Sequence, residues 1–252
     1  MNILVCVKRI PAPGALIEIT EDQQRINTRY LSFTISPHEE CAVEEAVRQI
    51  EKHGGSSTVL TLGPEVATEQ LREALALGID EAMLLLTEDE EWGPMATARA
   101  IVDEIQARQE EPFDVLLFGN ESADAGGYQV GIRVAHALNV PCVTGVKGLE
   151  IITETAIARR ETAGGLESYE VPLPAVFTIK EGINLPRYPS LRGKLAAKKK
   201  AITRIEPEKR GDGLERVRLV TPDVTYRGAE ILGEGPNAVP RVVSVMQELG
   251  LV

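Results

Sequence analysis

Cysteine is scarce in this sequence, and Cys6, Cys41 and Cys142 form an odd, scattered set with no C-x-x-C spacing. That argues against both a disulfide framework and a structural zinc site, and fits a reducing compartment. Histidine is equally sparse: His38, His53 and His136 stand far apart, and there is no H-E-x-x-H, no G-x-S-x-G and no metal-like cluster. Hydrolytic and metal-dependent catalysis therefore have no motif here. An excess of positive charge is missing too. The formal net charge of −11 speaks against a general nucleic-acid binder, whose surface must be basic to meet phosphates, while leaving room for a local basic patch. No apolar run approaches the roughly 20 residues that a membrane span needs. The chain enters a β-like run, Asn2 to Val7, without a basic stretch and a long apolar one before it. No signal peptide is expected, and the protein reads as cytoplasmic.

What is present is ordinary for a globular protein. The 252 residues are 43% hydrophobic and 26% charged, enough for one large or two small domains with a packed core. Over the first 140 residues or so, short apolar runs alternate with amphipathic stretches. Ile3 to Val7, Thr58 to Leu62, Ala82 to Leu86 and Val115 to Phe118 are continuous Val/Ile/Leu-rich runs, as parallel strands buried on both faces require. Between them, Ala42, Val43, Ala46, Val47 and Ile50 share one helical face. Ser36-Pro37-His38-Glu39 marks the start of that helix as a capping box with proline in the first turn. A second helix spans about Thr68 to Leu77, with Gly78 placed to end it. A third runs near Met95 to Gln109, and a fourth begins around Gly126 with Gly131, Val134, Ala135 and Leu138 facing inward. Alternating β and α elements imply a doubly wound α/β fold, a mostly parallel sheet with helices on both faces.

From about Lys147 the texture changes. Leu149 to Thr153, Ala156 to Arg160, Ser168 to Val171 and Ala175 to Ile179 read as shorter strands, with a turn at Ala163-Gly164-Gly165. They predict a small antiparallel extension over 147–180. Residues 181–200 show no clear period. Within them Arg187, Arg192, Lys194, Lys198, Lys199 and Lys200 make a basic segment, either a solvated loop or a patch for an acidic partner. Residues 206–252 read as an extended C-terminal arm, rich in glycine, proline and charge up to Pro240. The arm ends in a helix over about Ala238 to Leu249, striped by Val239, Val242, Val243, Met246 and Leu249. The chain thus divides into an α/β domain, 1–205, and an arm.

Ligands of open α/β sheets bind beyond the carboxyl ends of the strands. Three loops leave such ends: Val7-Lys8-Arg9, Leu62-Gly63-Pro64, and the longest, from Gly119 to Gly131. The last contains G-x-x-x-x-G from Gly126 to Gly131, but Ile132-Arg133 follows where a P-loop needs Lys-Ser or Lys-Thr. Nor does a G-x-G-x-x-G follow the first strand. The loop is either a phosphate cradle, with glycine N–H groups at a helix start, or a turn needed for close helix-to-sheet packing. Glu39, Glu40, Glu44 and Glu45 look like a paired-acid site on paper. Their place in the first half of a helix, where acids favour the macrodipole, predicts a solvated face.

Several stretches together resemble the beta subunit of electron-transfer flavoproteins. They are Val5-Cys6-Val7-Lys8-Arg9, Cys41-Ala42-Val43-Glu44-Glu45-Ala46, Leu62-Gly63-Pro64 and Ala74-Leu75-Ala76-Leu77-Gly78. Later come Gly164-Gly165-Leu166-Glu167, Leu173-Pro174-Ala175-Val176 and Pro186-Arg187-Tyr188-Pro189-Ser190-Leu191, leading into Ala196-Ala197-Lys198-Lys199-Lys200. The likeness covers about Met1 to Lys200. It implies a heterodimer whose alpha subunit holds most of a redox FAD in a mobile domain. The beta subunit supports that domain and buries a structural AMP. Electrons pass from flavin dehydrogenases, such as acyl-CoA dehydrogenases, to a quinone reductase or another acceptor. In a bifurcating branch, a second FAD takes the AMP place and receives a hydride from NADH.

Carried over residue by residue, the resemblance assigns adenylate contacts to Cys6, Ser36, Pro37, His38, Glu39, Leu62, Asp124, Ala125, Gly126, Gly127, Tyr128, Gln129, Val130 and Gly131. Glu161 falls on a glutamate that pairs with an arginine of the flavin domain, and Leu191 on the leucine that docks into acyl-CoA dehydrogenases. The chain departs from the family pattern in two places. Asp124 stands alone where several consecutive acids are common, and Ala163 replaces an acid before Gly164-Gly165. The first leaves AMP and FAD both open. A third reading, from the sheet logic alone, is a regulatory ATP- or AMP-binding module of stress-protein type. That reading leaves the strands after Lys147 and the arm without a purpose.

Overall fold

Apolar runs that leave no face for solvent become the centre of one sheet. The structure, a computed structural model, describes residues 1–88, 91–108, 110–211, 216–222 and 228–252. In chain order the elements begin with β1 (Asn2–Cys6), a short ribbon of β2 (Ile10–Pro11) and β3 (Phe33–Thr34), α1 (Pro37–His53) and β4 (Ser56–Gly63). Then come α2 (Thr68–Leu77), β5 (Glu81–Leu86), α3 (Pro94–Ala107), β6 (Val115–Gly119) and α4 (Val130–Leu138). The second half holds β7 (Cys142–Ile152), β8 (Thr155–Thr162), β9 (Gly165–Pro172), β10 (Ala175–Ile179), α5 (Leu191–Lys199), β11 (Thr203–Ile205) and α6 (Val239–Glu248).

Nine strands form one sheet in the order β11-β5-β4-β1-β6-β10-β7-β8-β9. Every pairing from β11 to β7 is parallel, and only β7-β8 and β8-β9 are antiparallel. On one face Val43, Ala46 and Val47 of α1 and Leu71, Ala74 and Leu75 of α2 join the inward side chains of the strands. On the other, Ala98 and Ile101 of α3 and Val134 and Ala135 of α4 do the same. This is the expected doubly wound α/β arrangement. From β1 the chain steps outward through β4 to β5, then crosses back to place β6 on the free side of β1. The carboxyl ends of β1 and β6 are therefore where the winding reverses, the point at which open α/β sheets leave a crevice between their helices.

The N-terminal strands and the first two helices match their sequence expectation within two residues, and Gly78 ends α2 with a positive φ of 127°. The third helix ends at Ala107, and Gln109 lies outside the described residues. Four expectations are corrected. Ala175–Ile179 is not part of the antiparallel extension but a central parallel strand between β6 and β7, buried at all five positions. The fourth helix starts at Val130, because Tyr128 takes a left-handed φ of 53° that an α-helix cannot contain. Residues 191–199 are helical. Ser190 caps this helix, its hydroxyl accepting the Gly193 N–H at 3.0 Å, and a Cβ on Gly193 would run into the Ala76 carbonyl of α2. Its packing face is Gly193 and Ala197, too small to register as an apolar stripe. Finally, Glu39, Glu44 and Glu45 are buried, not solvated.

For Glu44 and Glu45 the reason for that burial lies in residues 184–187. Glu44 accepts from Arg48 Nε at 2.7 Å and Arg187 Nε at 2.9 Å, while Glu45 accepts from Gln49 Nε2 at 2.7 Å and Asn184 Nδ2 at 2.9 Å. Arg187 also holds Glu51, at 2.6 Å. Burial pushes the Glu44 carboxyl up, but the hydrogen bonds from Arg187 and Arg48 outweigh it and hold the group below the usual range. The acids of α1 thus clamp the segment that leads into α5. Parts of the arm, 212–215 and 223–227, lie outside the described residues. Its end is α6, a ten-residue helix with no buried residue. Among the described residues, no helix is long and apolar enough to cross a membrane.

Candidate functional site

The crevice at the β1/β6 reversal is walled by three segments. β1 delivers Cys6, paired in register with Leu60 of β4 and Phe118 of β6. Its thiol is buried, and burial, followed by the nearby Glu39, pushes its pKa far above the ordinary range, so Cys6 is no nucleophile. The N-terminus of α1 delivers Ser36, Pro37, His38 and Glu39. The loop after β6 delivers Asn120 to Gln129. Leu62 sits half-buried at the carboxyl end of β4, beside β1.

Glu39 occupies the floor. Its carboxylate accepts the Ser36 N–H at 3.2 Å and the backbone N–H of Lys8, so it ties α1 to the end of β1. Gly119 must be glycine here, since a Cβ would stand 2.6 Å from Glu39 Cγ. Burial pushes this carboxyl up to about 7, against the pull of those hydrogen bonds and of the Lys8 charge. The Ser36 hydroxyl donates to the Glu121 carbonyl at 3.3 Å. His38 Nδ1 accepts from the Glu181 N–H at 2.8 Å, which leaves Nε2 as the donor toward Glu121 Oε1 at 3.2 Å. His38 thus joins α1, the long loop and the segment after β10.

At the mouth, Lys8 Nζ lies 2.5 Å from Asp124 Oδ2 and 3.7 Å from Glu91 Oε1. Burial raises the Asp124 carboxyl, but Lys8, together with hydrogen bonds from Ser122 and the Ala125 N–H, outweighs it and the group stays below its usual value. Beyond Asp124, the sequence left a cradle and a packing turn as alternatives, and the structure divides them by residue. Gly131 is the packing glycine: a Cβ would come within 3.0 Å of Thr178 and 3.1 Å of Phe118. Around Gly126, with φ +56°, and Gly127 a Cβ would meet nothing within 4 Å, so this turn is open. Gln129 precedes α4 and is bonded to Arg133 at 2.9 and 3.1 Å, and Val130 is the first residue of that helix. Gly126 and Gly127 therefore stand before the helix, not in its first turn. Ala125 N–H closes onto Asp124 Oδ1 at 2.8 Å.

Beside this loop opens a cleft of about 280 Å³, lined by Asn120, Tyr128, Thr144, Gly145, Thr178 and Lys180 among others. Asn120 Oδ1 accepts from the Gly145 N–H at 2.9 Å and the Thr178 hydroxyl at 2.8 Å, which ties the loop after β6 to β7 and β10. Glu161, on β8, lies at the rim of this cleft and is already paired with Lys147 at 2.7 Å. Leu191 stands apart, as the first residue of α5, 76% exposed.

The structure therefore brings Cys6, Ser36–Glu39 and the loop from Asp124 into one crevice, with Leu62 at its edge. Lys8, Asn120 and Glu121 join them, although sequence reasoning did not single them out as site residues. All three lie within two residues of a strand's carboxyl end, which was the available signal. Among the described residues, no group of three or more His, Cys, Asp or Glu is placed to hold a metal ion. A crevice with one lysine, an open glycine turn and backbone donors suits a phosphorylated ligand.

Comparison with known proteins points the same way. Residues 25–210 match the model of the electron transfer flavoprotein domain family. The chain is 34% identical to the electron transfer flavoprotein subunit beta of Bacillus subtilis (strain 168), over 98% of each chain. It is also 34% identical to the subunit of the same name from Thermoanaerobacterium thermosaccharolyticum, over 96% of each. A mitochondrial electron transfer flavoprotein subunit beta from Oryza sativa subsp. japonica shares 34% identity over 82% of this chain and 83% of its own.

Proposed function

Because this chain belongs to the electron transfer flavoprotein beta-subunit family, we propose that it works as the non-catalytic half of a heterodimer, binding a structural AMP in the β1/β6 crevice. The alpha subunit holds the FAD, which takes up electrons from a flavin dehydrogenase and yields them to a quinone reductase or another acceptor. This chain's own contribution is support and positioning. Cys6, Ser36 to Glu39, Leu62 and the loop Asp124 to Gly131 surround the nucleotide. Glu161 meets a cation of the flavin domain, and Leu191 anchors an electron-donating dehydrogenase.

The observation that carries the nucleotide reading is the crevice itself, where an open turn at Gly126 and Gly127 lies beside Asp124 and Lys8 at the reversal of winding. One observation favours a second reading. The cleft of about 280 Å³ continues from the same loop, and it offers a flavin ring a place if FAD, not AMP, occupies the crevice. That would make the subunit of the bifurcating type. The two are separated by co-expressing the chain with an electron transfer flavoprotein alpha subunit, denaturing the complex with acid and identifying the released nucleotides by mass. One AMP and one FAD per heterodimer is the expected result. Two FAD and no AMP selects the bifurcating type, and one FAD with no second nucleotide overturns the crevice assignment.

A further inference from the structure

Lys8 stands among three carboxylates, Glu91 and Asp124 at the mouth of the crevice and Glu39 at its floor. Two of these have other means of support. Glu91 receives Arg216 of the C-terminal arm at 2.5 Å, and Glu39 is buried and bonded to backbone N–H groups. Asp124 accepts the Ala125 N–H at 2.8 Å and a hydrogen bond from Ser122, but among the described residues the cation within ion-pair distance of its carboxylate is Lys8, at 2.5 Å. The nearby arginines are engaged elsewhere: Arg9 stacks over Phe33 with 3.4 Å to the ring centroid, and Arg133 binds Gln129. Asp124 lies two residues before the open turn at Gly126. An unscreened carboxylate there would repel any phosphate brought to that turn.

A lysine resolves the conflict because its ammonium carries three donors on a flexible stem. One bond to Asp124 leaves two, and the side chain is 37% exposed, so it can be reached from solvent. We propose that Lys8 is the phosphate-binding residue of the crevice, and that Asp124 holds it in reserve and competes for it. A phosphate arriving at the Gly126–Gly127 turn draws the ammonium from Asp124 to itself. The proposal rests on the reading that a nucleotide occupies the crevice. It adds which side chain distinguishes a nucleotide from its nucleoside.

The test uses the full-length chain in complex with its alpha subunit, stripped of AMP, and equilibrium dialysis against AMP and against adenosine, which lacks the phosphate. Lys8→Gln should weaken AMP binding about tenfold or more, the usual scale for a bond to a charged group, and change adenosine binding less than about twofold. Lys8→Arg should retain most of the AMP affinity. Asp124→Asn should raise AMP affinity severalfold relative to adenosine affinity by removing the competitor. If the complex takes FAD in the crevice, the same comparison is made with FAD and riboflavin. Equal losses for both ligands in Lys8→Gln, or none for either, overturn the role of Lys8 while leaving the nucleotide site standing. An AMP affinity that does not rise relative to adenosine affinity in Asp124→Asn overturns the competition. A wild-type complex that binds none of these ligands overturns the nucleotide site as well.

Discussion

Glu39 stores an electrostatic cost at the floor of the crevice. Its unfolded-state value is near 4.5, and burial raises it to about 7 in the fold. Between those values the folded chain keeps a proton that the unfolded chain has released, so stability falls as pH rises through the window. The sign is opposite to that of Glu44, whose lowered pKa makes it stabilising above the usual carboxylate range and lost as pH falls. Glu39→Gln removes the titration while keeping the shape. The variant should gain on the wild type by about 1.4 kcal/mol per pH unit inside the window, and by about 3 kcal/mol in all, then level off. Urea unfolding of both proteins from pH 4.5 to 8 measures the gap. A constant gap, or one that narrows toward pH 8, would mean that Glu39 is already ionised in the fold.

Among the elements, α5 separates what a residue does for the fold from what it does for a partner. Its inner face is Gly193 and Ala197, against α2, with Arg72 of α2 bonded to the carbonyls of Ala197 and Lys200. Its outer face carries Leu191 and Leu195, 76% and 55% exposed. Leu191→Ala removes no side chain from the core, so the melting temperature should shift no more than a surface substitution does, about 0.5 kcal/mol. Coupling to a dehydrogenase should weaken over tenfold if Leu191 is the anchor proposed above. Gly193→Val should do the reverse, lowering stability by at least about 1–3 kcal/mol through overpacking. Thermal melts together with dye-reduction assays in the presence of acyl-CoA dehydrogenase distinguish the two. Normal coupling in Leu191→Ala removes the anchor role.

At the scale of the whole molecule, α6 is out of balance. Val239, Val242, Val243, Met246 and Leu249 are 36–68% exposed along one stripe, and the helix has only ten residues. Isolated helices shorter than about 12–15 residues are marginal in water, so this one needs a surface to lie on. Obligate interfaces commonly bury more than roughly 2,000 Å², and the arm is the natural contributor. Val243→Asp combined with Met246→Asp should leave the melting of the α/β body unchanged, since neither side chain is buried in it. Co-purification with the alpha subunit should drop at least about tenfold. In the wild type, limited proteolysis should cut before α6 when the chain is alone and spare it in the complex. Equal cutting in both states would show that α6 has another purpose.

Much of this was written in local pattern. The continuous apolar runs of β1, β4, β5 and β6, the 3.6-residue stripe of α1 and the turn at Gly78 depend on neighbours in sequence, and period and turn chemistry are enough to read them. The quoted family motifs likewise sufficed for membership. Other features depended on which distant segments meet. β10 is short and mostly apolar like β6, yet only the assembled sheet reveals that it inserts between β6 and β7 and not after β9. Glu44 and Glu45 of α1 cannot be seen as buried until Arg187 and Asn184, more than 130 residues away, supply their partners. Lys8 and Asp124 are 116 residues apart, and their pairing exists only because the winding reverses between β1 and β6. Periodicity reports the face an element buries. Charge pairing, strand order and the shape of a crevice are properties of contact between elements, so only the tertiary structure decided them.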